Sequence, residues 1–288
     1  MSGLHYSELR PPHQLRDVVE CIWFMSGASA PGADPERILP DGCVEIVFNL
    51  ADRFRHIRTS TPATQPREML VAAIPEHMLI KATGSIDVVG IRLRPGGAPA
   101  LVSDAISDMG DVTAPLNDLD HRLPRFLAER LAATPKHQGR YHLVIDALRR
   151  VALPERVDAR VMWAARRIRH ARGQLPIDTV RREMGISTRT LERLFQRDVG
   201  LGPKKLSRVH RIQSVVRAVG AGQGDPWRRL ALRAGYFDES HFVRDFQSVA
   251  GVAPGKFFGQ APNAMSTAFT AGADGLDDYL QDQTAGPT

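Results

Sequence analysis

Thr188, Arg189, Glu192, Arg193, Gln196 and Arg197 lie within one short helical stretch, and Glu239, Ser240, His241, Val243 and Arg244 lie within another. Side chains of these types can read a DNA groove. Arginine can bond bidentately to a guanine edge, glutamate can accept from a cytosine amino group, and a valine methyl can meet the thymine methyl. Catalytic chemistry has no comparable cluster. The ten histidines, among them His5, His13, His56, His77 and His121, are not closely paired with carboxylates. The only two cysteines, Cys21 and Cys43, lack paired metal-ligand spacing and read as buried free thiols, a usage that fits a reducing cytoplasm. No catalytic residue, metal or cofactor is therefore expected, and the chain does not read as an enzyme.

The elements that must carry these side chains are legible. Val180 and Met184 supply apolar positions of a supporting helix, Gly185 suits a turn and Ser187 suits the N-cap of the next helix. Leu191, Leu194 and Phe195 then share one face, which leaves the polar set above on the other. In the second stretch Leu230 and Ala234 pack, Gly235 turns, Asp238 caps, and Phe242 and Phe246 are buried. Phe195 and Phe246, Gly200 and Gly251, and Pro203 and Pro254 are each 51 residues apart. A fixed offset of this kind means one supersecondary unit used twice. Residues 204–219 read as a long connecting helix bearing Lys204, Lys205, Arg208, Arg211 and Arg217, and Trp227 reads as core of the second unit. Arg197, further along its helix, suits a phosphate.

Charge follows the motif. Residues 155–260 hold 21 Lys/Arg against 10 Asp/Glu, whereas residues 1–154 hold 17 against 18 and residues 261–288 hold none against 4. A net charge of +6 concentrated in the repeated segment is the footprint of phosphate binding. No apolar run approaches the roughly 20 residues needed to span a membrane. The first residues show neither a basic nor an apolar signal segment, so a cytoplasmic location is expected.

The fold class expected is α+β. Short apolar runs at 21–25, 44–48, 69–74, 78–82 and 88–93, separated by Pro and Gly, suggest an antiparallel half-barrel or sandwich. Residues 116–132 and 140–151 have helical spacing; the stripe from Leu119 to Leu131 is a candidate dimerisation helix, with packing inside its own domain the competing reading. The division is a β-rich sensor or dimerisation domain over 1–153, an all-α double helix-turn-helix domain over 154–260, and an acidic tail over 261–288. That tail reads as disordered, with a short docking helix at 276–280 as the alternative.

Residues 158–258 resemble the AraC/XylS family of bacterial transcription regulators. The resemblance is carried by the Gly185-x-Ser187 opening, by Leu191, Arg193 and Phe195, and by Ser240, Phe242, Arg244 and Phe246. The Gly-x-x-Pro exits at Gly200 and Gly251 complete it. It implies seven helices, two helix-turn-helix subdomains joined by a long helix, and groove-facing positions at Arg189, Glu192, Arg193, Glu239, Ser240, His241 and Arg244. The chain departs from the family pattern at Phe237, Asp245 and Gln247. The N-terminal stretches 37–49 and 89–97 resemble the cupin-like sensor-side domain of one branch of that family. That implies a small-molecule effector, for which Trp23, Phe48 and Arg92 are candidate liners, and helices that mediate homodimerisation. Together these point to an effector-responsive regulator that binds double-stranded DNA, with RNA polymerase as a further implied partner. An architectural DNA-binding protein without an effector and a barrel enzyme fused to a DNA-binding domain are the alternatives.

Overall fold

The computed structural model describes residues 4–29, 32–57, 63–109, 112–222 and 226–259; the expected acidic tail at 261–288 lies outside them. Among these described residues ten strands come first: β1 His5–Leu9, β2 Val19–Ala28, β3 Glu36–Ile38, β4 Val44–Asn49, β5 Arg55–His56, β6 Ala63–Thr64, β7 Glu68–Val71, β8 Met78–Lys81, β9 Ser85–Leu93 and β10 Thr113–Pro115. Nine helices follow among the described residues: α1 Leu127–Ala132, α2 His137–Val151, α3 Ala159–His170, α4 Ile177–Glu183, α5 Thr188–Val199, α6 Pro203–Gly220, α7 Trp227–Arg233, α8 Glu239–Ala250 and α9 Pro254–Gly259. The fold is α+β, with antiparallel sheets ahead of a helical region.

A six-stranded sheet in the order β1-β2-β9-β4-β7-β10 faces a four-stranded sheet in the order β3-β8-β5-β6. Strand side chains alternate between faces, and this alternation divides the larger sheet between two cores. Cys21, Trp23, Met25, Val47, Met69 and Val88 point toward the smaller sheet. Ile22, Phe24, Ile46, Phe48, Val89 and Ile91 point the other way, onto α1, α2 and the first helix-turn-helix unit. Trp23 pairs in register with Gly90, and a Cβ there would lie 1.9 Å from the indole Cε2. Glycine is required at that position because the ring lies directly on the strand.

The helix expected over 116–132 does not form as one element. Leu116–Asp118 is a single 3-10 turn, Leu119 is extended, and α1 begins only at Leu127. Proline disfavours the helical region for the residue before it, and Pro124 breaks the stripe at Leu123. Leu123, Leu127 and Leu131 are buried in the chain's own core, as the competing reading has it, while Phe126 of the same stripe is 67% exposed. α2 is locked beneath the sheet by Arg140, whose Nη1 and Nη2 donate to the two Asp87 carboxylate oxygens at 2.6 and 2.8 Å and whose Nε donates to the Leu131 and Thr134 carbonyls.

The helical region spans two cores. Val180, Leu191, Leu194, Phe195, Val199 and Leu206 continue the sheet core. The second unit has its own, built from Ile212, Val215, Leu230, Tyr236, Phe242 and Phe246 with Leu39 of the β-rich part inserted. Trp227 packs beside Phe242 and Phe258 in that second core. The connecting helix expected at 204–219 is α6, opened by Pro203 at its first turn.

Candidate nucleic-acid interface

Each unit is a supporting helix, a glycine turn and a second helix with a side-chain cap. Gly185 and Gly235 turn with φ of 64° and 82°. Ser187 Oγ accepts from the Thr190 N–H at 3.1 Å, and Asp238 Oδ1 accepts from the His241 N–H at 2.7 Å. Such caps satisfy donors that the helix itself leaves unpaired. Both second helices, α5 and α8, end on a left-handed glycine, Gly200 at φ 81° and Gly251 at φ 70°.

The β-rich part touches both of these exits. A Cβ on Gly200 would lie 2.6 Å from Ile106 Cγ2, and one on Gly251 would lie 2.1 Å from His77 Cε1. At the second exit the His77 N–H donates to the Val249 carbonyl at 2.7 Å, and Arg37 Nη1 donates to the Ala250 carbonyl at 2.5 Å.

On α5, Thr188, Arg189, Arg193 and Arg197 are exposed. Among the described residues Arg189 and Arg193 enter no ion pair, so their guanidinium groups face solvent uncommitted. Arg197 differs: it holds Asp198, 1% exposed, through Nε–Oδ1 at 2.5 Å and Nη2–Oδ2 at 2.7 Å. The hydrogen bonds that Arg197 donates to the Asp198 carboxylate raise its pKa. Glu192 and Gln196 are half-buried, and their polar ends lie against Gly202 at the start of α6.

On α8, Glu239, Ser240 and Arg244 are exposed, while His241 and Val243 are half-buried. Glu239 is paired with Arg228 of α7 at 2.7 Å. His241 meets the Tyr236 ring edge to face. Arg244 donates weakly to the Ser240 carbonyl at 3.3 Å. Of the basic residues expected on the connecting helix, Lys204 and Lys205 are exposed, whereas Arg208 donates to Ser248 Oγ and Arg211 lies over the Tyr236 ring.

One surface residue lay outside the expected set. Phe237, immediately before the cap of α8, is 89% exposed. Its only sequence signal is its departure from the pattern of the resembling family.

The three candidate effector liners separate. Trp23 lines a cavity between the two sheets, with about 830 Å³ of empty space including its open mouth. Phe48 does not line it; it occupies the opposite face of β4, in the core shared with the helices. Arg92 sits at one end of the same sheet face as Trp23, buried rather than poised on a surface. Its Nε donates to Glu45 Oε1 at 2.7 Å, its Nη1 to Glu8 Oε1 at 3.0 Å, and Asp41 lies 3.4 Å away. Burial pushes the Glu45 carboxyl above the usual range despite the attraction of Arg92. Cys21 and Cys43 are free, and burial raises both thiols well above the usual value.

Beyond Arg92 a smaller polar cleft runs between the sheet and α3 and α6. Arg169 Nη1 and Nη2 donate to the two Glu20 oxygens at 3.0 and 2.8 Å, and Arg94 adds a third contact at 2.9 Å. Burial works to raise the Glu20 pKa, but Arg169 and then Arg94 outweigh it and hold the carboxyl low. His210 of α6 is buried beside this pair, and its Nε2 has no hydrogen-bond partner. Burial, then Arg169 and Arg217, push its pKa down to about 3. Gln213, one turn on, donates to the Pro40 carbonyl at 2.6 Å and lines both spaces.

Residues 180–260 match a family described as a helix-turn-helix domain, and residues 7–115 match a domain of unknown function, DUF6597. No curated protein matches the chain. Among solved structures, ToxT from Vibrio cholerae aligns with 10% identity over 90% of this chain and 98% of its own, at a TM-score of 0.46. The same protein bound to an unsaturated fatty acid aligns with 13% identity over 91% and 97%, at 0.42. The AraC-like transcriptional activator CuxR aligns with 14% identity over 79% and 84%, at 0.28.

Proposed function

We propose that the chain, whose residues 180–260 match a helix-turn-helix domain family, is a sequence-specific, effector-responsive transcription regulator of the AraC type that places α5 and α8 in two successive major-groove segments of double-stranded DNA. The observation that carries the reading is the pair of capped helices of like design, one presenting Arg189 and Arg193 without ion partners and the other presenting Ser240 and Arg244. Recognition helices contact base edges through their N-terminal residues, and these side chains lie within the first two turns of their helices. Arg197 is committed to Asp198 and Glu239 to Arg228, so both serve the reading surface as braces of neighbouring groups more than as free contacts. Phe237 adds an apolar contact of the kind that recognises a thymine methyl.

Selection of bound duplexes from a random pool at stated salt tests this. The expected product is an asymmetric site of two half-sites about 10–10.5 base pairs apart. Arg193→Ala should then weaken binding to that site by about 1–3 kcal/mol and relax one base position. Binding without any sequence preference would instead support an architectural role, and unchanged affinity and preference would remove Arg193 from the reading surface.

A further inference from the structure

We propose that the cavity between the two sheets binds a mainly apolar small molecule whose head donates hydrogen bonds and carries no negative charge. Trp23, Phe54, Met69 and Ile80 give the space an apolar wall, as in pockets that take small molecules. Its polar lining is rich in acceptors. Asn49 is 3% exposed; its Nδ2 donates to the Pro66 carbonyl at 2.9 Å, and its Oδ1 has no partner. A buried acceptor left unmade is costly, and a donor on an occupant would satisfy it. Asp41 and Glu45 line the end nearer α6, and no lysine or arginine lines the cavity among the described residues. The Arg92 guanidinium, beyond the wall, already serves Glu45, Glu8 and Asp41. A carboxylate or phosphate placed here would find no lysine or arginine in the wall to pair with it, only acidic groups already held by Arg92, and burying an unpaired anion is costly.

Gln213 of α6 forms part of the wall, so an occupant touches the DNA-binding region directly; calling it an effector rests on the regulator reading, while its chemistry does not.

Three probes with one hydrocarbon test the head group on the full chain in the absence of DNA: 1-octanol, 1-octylamine and octanoate. Octanol and octylamine should shift tryptophan fluorescence, because Trp23 lines the site, and raise Tm by about 2–4 °C at tenfold excess over Kd. Octanoate should do neither. Asn49→Leu should weaken both donors about tenfold. Because that change also removes the bond to Pro66, the wild-type ranking of the three probes is the primary readout. Octanoate binding as tightly as either donor, or no binding by any probe, overturns the proposal. Equal binding by Val47→Trp, which fills the cavity, overturns the location. A chain that binds these donors yet selects no DNA sequence would sink the regulator reading and leave this one standing, and the reverse result would do the opposite.

Discussion

Replacing His210 with glutamine should flatten the acid limb of the stability curve. His210 sits at the junction of the sheet and α6, faced by Glu20 of β2, Arg169 of α3, Arg217 of its own helix, and Asp41, Cys43 and Arg92 across the cleft. Burial and the two arginines put its pKa at about 3 in the folded chain, against about 6.5 for an unfolded histidine. The folded value is depressed, so the unfolded chain binds the extra proton between these limits, and stability is whole above about pH 6.5 and lost as pH falls. The loss is about 0.2 kcal/mol at pH 7 and about 2 kcal/mol at pH 5. The second figure barely depends on the folded value so long as it stays below about 4. Urea unfolding of both proteins at pH 7 and pH 5 isolates the term, because the other titrating groups cancel in the double difference. The wild type should lose about 2 kcal/mol more than His210→Gln over that interval. A double difference under about 0.5 kcal/mol would mean that His210 is protonated or solvated in the native state, and that the sheet and α6 do not close on it as argued.

Other consequences are equally direct. Phe237→Ala should abolish the penalty for replacing one thymine of the selected site with uracil, measured as a ratio of dissociation constants; a penalty that persists would place the methyl contact elsewhere. Gly251→Ala should cost clearly more than Gly185→Ala in thermal unfolding. Both impose a left-handed alanine at about 1–2 kcal/mol, but only Gly251 has the His77 ring where the methyl must go, while nothing lies within 4 Å of a Cβ on Gly185. Lys204→Ala should lower the slope of log K against log salt by about one if that exposed lysine meets a phosphate, without altering the selected sequence.

Helices α5 and α8 were legible because every local signal agreed: the 3.6-residue period of Leu191, Leu194 and Phe195, the caps Ser187 and Asp238, and the glycine exits. Strands β2, β4 and β9 were visible as short apolar runs bounded by turn residues, β4 with its own apolar–polar alternation. β3, β5, β6 and β10 were not, since two or three residues carry no period. The apolar stripe at Leu119–Leu131 looked helical because periodicity was weighed above Pro124. Trp23 and Phe48 were grouped as liners, yet the register that pairs Trp23 with Gly90 and Phe48 with Val89 sends them to opposite faces. Parity across strands is a tertiary fact. The same holds for Arg92, whose partners Glu8, Asp41 and Glu45 come from separate parts of the chain. Arg197 is different again: its partner is its own neighbour, but only the burial of Asp198 turns that adjacency into a commitment.

The two helix-turn-helix units are not held to the β-rich part with equal strength. The first shares its core with the large sheet through Val180, Leu191, Phe195 and Leu201. Moving it would expose several such side chains, each worth about 1.5–3 kcal/mol when buried. The second is joined through α6, one inserted leucine, Leu39, and two hydrogen bonds from His77 and Arg37 to the end of α8. The neutral bond from His77 contributes about 0.5–1.5 kcal/mol and the charged one from Arg37 about 1.5–3 kcal/mol, less together than the several buried side chains that hold the first unit, so the second unit is the cheaper one to displace. Leu39, Asp41 and Cys43 also line the cavity between the sheets. One segment, from Arg37 to Cys43, therefore serves at once as part of the cavity wall and as the hold on the end of α8, so on the proposed reading a change in how the cavity is filled acts first on the weaker of the two attachments.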